Sequence, residues 1–192
     1  MEYFSLSPSS VSIADRHFLN GHSGGLLWFT GLSGSGKTTI AKELKKFFKS
    51  FVWIDGDNFR KNVSYDLKFS IQDRKENLRR AIGFCKLLND QNINVIASFI
   101  SPLHLIQKRV QEELTSILVY VQCPLKTCIK RDPKGFYLLA QQGKIKNFTG
   151  IDSIYQIPLN PDLKVQTDKQ TVKESVLCII KALNQKNLTL SL

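Results

Sequence analysis

Short apolar runs separated by longer amphipathic stretches set the pattern of this chain. Leu26-Leu27-Trp28-Phe29-Thr30 is a compact apolar run, and Phe51 to Ile54, Ile93 to Phe99, Ile117 to Val121 and Leu163 to Gln166 repeat the theme. Runs of this length that do not alternate predict strands buried on both faces, as in a parallel sheet. Between them the period changes. Ile40, Ala41, Leu44, Phe47 and Phe48 fall at helical spacing and predict a helix over 38–49. Ser70 with Asp73 three residues on resembles a capping box, ahead of an apolar stripe of Leu78, Ala81, Ile82, Cys85 and Leu88 that runs to about Gln91. Thr171 with Glu174 repeats the device before Val176, Ile179, Ile180 and Leu183. Strands alternating with helices mean βαβ units, hence an α/β fold with a central parallel sheet of about five strands covered by helices on both faces, a three-layer sandwich.

Two segments fall outside this rhythm. Residues 1–13 are Ser-rich with a Pro and read as an N-terminal arm, followed by a short helix ending at Gly21 and a single domain over 14–192. Residues 132–150 carry Gly135, Gly143 and Gly150 among Lys134, Lys144 and Lys146, and read as a mobile basic lid.

Composition narrows the class. The 192 residues suit one domain with a sizeable core, and 42% hydrophobic with 22% charged residues excludes a disordered or fibrous chain. The net charge of +11 predicts an anionic partner: nucleic acid, acidic membrane or a phosphorylated small molecule. No run of Lys and Arg is interleaved with aromatics, which argues against nucleic acid. The longest apolar run, Ile93 to Ile100, is broken by Asn94 and too short to span a bilayer, so a cytoplasmic protein with no membrane partner is expected. Cys85, Cys123, Cys128 and Cys178 form no CxxC pair and read as reduced, buried thiols.

The chemistry begins at Gly31-Leu32-Ser33-Gly34-Ser35-Gly36-Lys37-Thr38, which matches G-x-x-x-x-G-K-[ST] between a predicted strand and a predicted helix. Glycines let backbone N–H groups converge on phosphate oxygens, the helix N-terminus adds positive potential, Lys37 reaches the β and γ phosphates, and the Thr38 hydroxyl can ligate Mg²⁺. After the next strand, Asp55-Gly56-Asp57-Asn58-Phe59-Arg60 places two carboxylates beside the nucleotide crevice, suited to holding Mg²⁺ or taking a proton from an acceptor hydroxyl. Arg74 and Asn77 share a helix face, and Arg60 with Arg74 could clamp an anion. Ser101-Pro102 ends the following strand at the same crevice.

These residues resemble the adenylyl-sulfate kinase family, P-loop enzymes that phosphorylate the 3′-hydroxyl of adenosine 5′-phosphosulfate. The resemblance rests on DRHFLNGHSGGLLWFTGLSGSGKTT (15–39), DGDNFR (55–60), FSIQDRKEN (69–77), SFISP (98–102), RDPKGFY (131–137) and KNFTGID (146–152), and spans about 14–183. It implies a P-loop kinase fold with ATP and Mg²⁺ at Gly31 through Thr39. It also implies that Arg60, Arg74 and Asn77 grip the phosphosulfate, that Phe69 and Phe148 sandwich its adenine, and that Ile100 and Ser101 line the pocket. Arg131 and Lys134 would close over the phosphates. Asp57 is the expected proton acceptor and, with Thr38, a metal residue; Asp55 would support the metal shell, and the sequence does not decide between the two aspartates.

The chain departs from the family where Lys68 replaces a Gly, where Leu103, His104 and Gln107 replace an aromatic and two basic residues, and where Ile154 and Gln156 replace Pro and Glu. The departures flank the expected acceptor site and put acceptor identity at stake. A kinase of another anionic nucleotide-like acceptor and a non-catalytic basic nucleotide-binding module are the alternatives. With no sulfurylase domain in the sequence, the acceptor is expected from a separate ATP sulfurylase chain or by diffusion. A homodimer is left open.

Overall fold

The computed structural model describes residues 24–114 and 116–185, together with Ala14 and Phe18, both helical. The N-terminal arm, and the rest of the helix expected before Gly21, lie outside the described residues. Five parallel strands form one sheet: β1 (Leu26–Thr30), β2 (Val52–Asp55), β3 (Val95–Ser98), β4 (Ser116–Gln122) and β5 (Leu163–Gln166), in the order β2-β3-β1-β4-β5. Leu27 of β1 lies between Ile96 of β3 and Ile117 of β4. Chain order therefore reverses on either side of β1, and in an open parallel sheet that reversal opens a crevice at the carboxyl ends of the strands.

The helices are α1 (Lys37–Phe47), α2 (Gly56–Asn62), α3 (Ile71–Asp90), α4 (His104–Glu113), α5 (Leu125–Arg131), α6 (Phe136–Gln141) and α7 (Val172–Gln185). Successive residues of β1 feed opposite layers. Leu26 and Trp28 pack with Leu78, Ile82 and Cys85 of α3 and Val110 of α4, whereas Leu27 and Phe29 pack with Ile40 and Leu44 of α1 and Ile179 and Leu183 of α7. This is the two-faced burial that the unbroken apolar run demands. The edge strands differ. Val52 of β2 and Lys164 of β5 are exposed, because only one side of an edge strand is covered by a neighbour.

Local caps agree with the sequence. The Ser70 hydroxyl accepts the Asp73 N–H at 3.1 Å to start α3, and Thr171 and Glu174 bond reciprocally ahead of α7. Asn94, which interrupts the third apolar run, is buried and accepts the Gly25 N–H at 2.8 Å, tying the entry of β3 to that of β1. The 132–150 segment, expected to be a mobile lid, folds here around α6, with Tyr137 and Phe148 buried against Cys123, Cys128 and Ala140. Two aromatic rings in a Lys- and Gly-rich stretch supply the apolar surface that anchors it. All four cysteines are free, and burial pushes the Cys85 thiol up to about 12. Among the described residues no helix is long and apolar enough to cross a membrane.

Candidate active site

Where β1 ends, the chain turns through Gly31, Gly34 and Gly36, all at positive φ, and enters α1 at Lys37. Glycine at 31 is required twice over: φ is 151°, and a Cβ there would stand 2.5 Å from the Val121 carbonyl oxygen. Lys37 folds back into the loop, donating to the carbonyls of Gly31 at 2.9 Å and Leu32 at 2.7 Å, and is only 8% exposed. That burial pushes its ammonium down to about 8 from 10.5. A partly desolvated lysine at the start of a helix, beside a glycine-rich loop, is prepared for polyphosphate, whose negative charge favours the ammonium form.

The Thr38 hydroxyl donates to Asp55 Oδ2 at 3.0 Å, and Asp55 Oδ1 accepts the Asp57 N–H at 3.1 Å as the N-cap of α2. Asp57 itself turns toward the lid and pairs with Lys134. The Thr38 hydroxyl is thus joined to Asp55, while Asp57, expected beside Thr38 at the metal, is engaged with Lys134. A hydroxyl and a carboxylate are hard oxygen donors that suit Mg²⁺. Among the described residues no group of three or more His, Cys, Asp or Glu side chains could hold a metal unaided, so nucleotide phosphates and water would complete the shell.

Beyond Asp57 the cavity, about 550 Å³, reaches Arg60, Phe69, Arg74 and Asn77. Arg60 lies over the Phe69 ring at 4.8 Å and Arg74 over it at 5.6 Å. Arg60 donates to the Lys68 carbonyl at 2.8 Å; Arg74 donates to the Phe69 carbonyl at 3.0 Å, to the Thr149 hydroxyl at 3.0 Å and to the Asn147 carbonyl. Among the described residues neither guanidinium has a carboxylate within 4.0 Å. Burial, and for Arg74 also the like charge of Arg60, lowers the pKa of both from the usual arginine value. Two crowded cations with no directly paired carboxylate among the described residues, and Asn77 Oδ1 buried without a hydrogen-bond partner among them, suit an anion that also carries a donor.

Ile100 and Ser101 line this wall, but the Ser101 side chain is directed inward, accepting from Trp28 Nε1 at 2.8 Å with the residue 1% exposed. Phe148 does not reach the cavity. Its ring is buried edge-on against Tyr137 at 4.9 Å, so the expected sandwich with the half-exposed Phe69 is not assembled. Arg131 donates to the Thr167 hydroxyl at 3.1 Å and borders the phosphate loop.

Residues that sequence reasoning missed complete the other end. Thr167, Gln170, Val172 and Ser175, from the junction of β5 and α7, close the cavity near Gly36, and Thr167 Oγ1 donates to the Ser35 carbonyl at 2.7 Å. Their signal was positional: they follow the carboxyl end of a parallel strand, where such crevices lie. Tyr137 was missed as well, and its hydroxyl donates to the Ser33 carbonyl at 2.9 Å, joining lid to phosphate loop. The departures at Leu103, His104, Gln107, Ile154 and Gln156 lie behind the acceptor wall and do not line the cavity.

The comparisons agree with this geometry. The model of the Adenylylsulphate kinase family matches residues 23–166. An adenylyl-sulfate kinase of Staphylococcus haemolyticus is 43% identical over 187 residues, with 94% of each chain covered, and one of Clostridium kluyveri is 45% identical over 177 residues, with 89% of each covered. The APS kinase of Mycobacterium tuberculosis, solved in complex with AMPPNP and APS, superposes with a TM-score of 0.81 at 38% identity, covering 85% of this chain and 99% of that one. With the family model matched over residues 23–166 and relatives more than 40% identical over about nine-tenths of the chain, the glycine cradle, its buried lysine, the two aspartates and the two arginines belong to one enzyme family, and the protein is a member of the adenylyl-sulfate kinase family.

Proposed function

We infer that this chain transfers the γ-phosphoryl group of ATP to the 3′-hydroxyl of adenosine 5′-phosphosulfate, giving 3′-phosphoadenosine 5′-phosphosulfate. The observation that carries the reading is one cavity lined by the phosphate loop, by both aspartates and by two guanidiniums that have no carboxylate within 4.0 Å among the described residues.

Loop N–H groups between Gly31 and Thr39, with Lys37, would hold the triphosphate, and Arg131 would border it from the lid side. Thr38 and Asp55 would hold Mg²⁺, which supplies charge neutralisation at the β and γ phosphates. Arg60 and Arg74 would grip the phosphosulfate through charge-assisted hydrogen bonds, leaving Asn77 Oδ1 to accept from an N–H or O–H of the acceptor. Asp57 then stands between donor and acceptor as the base that takes the hydroxyl proton. Its partner Lys134 brings a cation to the same point, where charge accumulates on the transferring group. Ser101 is given no covalent step, because direct in-line transfer to the acceptor hydroxyl needs none. The test is ATP-dependent formation of the 3′-phosphorylated product, with the transfer lost when either substrate is omitted.

A further inference from the structure

Two stretches far apart in sequence meet behind the acceptor wall. One is the start of α4 with the Ile100–Pro102 turn before it; the other is the strap of residues 147–157. Gln107 sits between them, 3% exposed, and its side-chain amide donates to the Ser101 carbonyl at 2.9 Å and to the Gln156 carbonyl at 2.9 Å. Each of its two N–H bonds is used, one for the wall and one for the strap.

Around this staple the strap is held by further contacts. The Gln156 N–H donates to the Pro102 carbonyl at 2.8 Å, Gln156 Oε1 accepts the His104 N–H at 2.8 Å, and His104 Nε2 lies 2.8 Å from the Ile157 carbonyl. Further along, Tyr155 meets the Thr30 hydroxyl at 3.0 Å, and Thr30 in turn donates to the Ile100 carbonyl at 2.7 Å. The other end of the strap carries the Asn147 carbonyl and the Thr149 hydroxyl, both acceptors for Arg74. Ser101 needs the support, since it is a non-glycine residue at φ 44° in the wall itself.

We propose that Gln107 is a positioning residue for the acceptor: by pinning the Ser101 wall to the 147–157 strap, it fixes the orientation in which Arg74 meets the anion. The proposal rests on the assignment of Arg74 to the acceptor. Gln107 touches neither substrate in this scheme; its two donors hold the acceptor wall and the strap that carries the Arg74 partners, so its effect falls chiefly on the acceptor.

The experiment compares Gln107→Leu, which keeps the bulk and removes both donors, with Gln111→Leu one turn along α4. Gln111 donates to the Asn160 carbonyl at 3.0 Å and tethers a part of the chain beyond the strap, so it controls for a general loss of fold. Gln107→Leu is expected to raise the KM for adenosine 5′-phosphosulfate about tenfold, with the ATP KM within twofold of the unmutated enzyme. Amide hydrogen exchange across 147–157 in the substrate-free protein should rise in Gln107→Leu and stay unchanged in Gln111→Leu. Equal shifts of both KM values, or a lowered Tm with the acceptor KM flat, would show a purely structural residue and overturn the proposal. If the unmutated protein does not turn over adenosine 5′-phosphosulfate, the functional assignment fails by itself. The exchange data then decide the staple: faster exchange in Gln107→Leu alone upholds it, and unchanged exchange ends it.

Discussion

Replacing Asp55 and Asp57 one at a time separates two roles that the spacing of the aspartates leaves undivided. Asp55 Oδ2 sits 3.0 Å from the Thr38 hydroxyl while Oδ1 caps α2, and asparagine caps a helix about as well as aspartate, so Asp55→Asn keeps the local fold and removes the negative charge beside Thr38. Asp57 pairs with Lys134 with side chains 66% and 45% exposed, a surface pair worth roughly 0–1 kcal/mol, so Asp57→Asn should leave Tm nearly unchanged. Loss of a general base costs about 10²- to 10⁴-fold in rate, or roughly 2.7–5.4 kcal/mol of barrier. The assay is coupled ADP release at saturating ATP and acceptor, titrated with Mg²⁺. Asp57→Asn should lower kcat by about 10²-fold or more with the half-saturating Mg²⁺ concentration unmoved. Asp55→Asn should raise that concentration about tenfold, as expected when a hard site loses a carboxylate ligand. If Asp57→Asn shifts the Mg²⁺ dependence and Asp55→Asn lowers kcat at saturating metal, the division of roles is inverted and the reasoning from the Thr38 contact is refuted.

Two further outcomes follow from the charges. Arg60→Ala should raise the acceptor KM about ten- to a hundredfold while the ATP KM barely moves, because a charge-assisted bond of roughly 1.5–3 kcal/mol is lost at the acceptor end only; initial-rate kinetics with each substrate varied checks it. Lys37 is held to about 8 by burial, and phosphate favours its charged form, so ATP binding must take up a proton once the pH passes about 8. Calorimetry in buffers of different ionisation enthalpy should show no uptake from this group near pH 6.5 and uptake near pH 9, with affinity falling by up to about tenfold per pH unit above 8.

Much of the molecule was legible because its signals are local. The unbroken run at Leu26–Thr30 could only be a strand buried on both faces, and the phosphate loop after it fixes a strand, a turn and a helix in order. The caps at Ser70 and Thr171 depend on contacts three residues apart and stand as the sequence implies. Composition hid α2, where Asp-Gly-Asp-Asn looks like a turn although Asp55 caps a helix that buries Phe59. Long-range packing decided the rest. Nothing within KNFTGID says that the Phe148 ring is buried against Tyr137 and does not line the acceptor cavity. Likewise Gln107 and Gln156 become one unit only when the sheet brings the start of α4 to the strap.

The most direct measurement is the identity of the product formed by the purified, unmutated protein from ATP, Mg²⁺ and adenosine 5′-phosphosulfate, read by phosphorus NMR alongside ADP release. Adenosine 5′-phosphate and other anionic nucleotides serve as competing acceptors. The account predicts one ADP per acceptor consumed, a new phosphomonoester on the 3′-oxygen with the phosphosulfate intact, and a clear preference for adenosine 5′-phosphosulfate over the panel. ADP release that ignores the acceptor, or efficient transfer to a different nucleotide with adenosine 5′-phosphosulfate left unchanged, would contradict it.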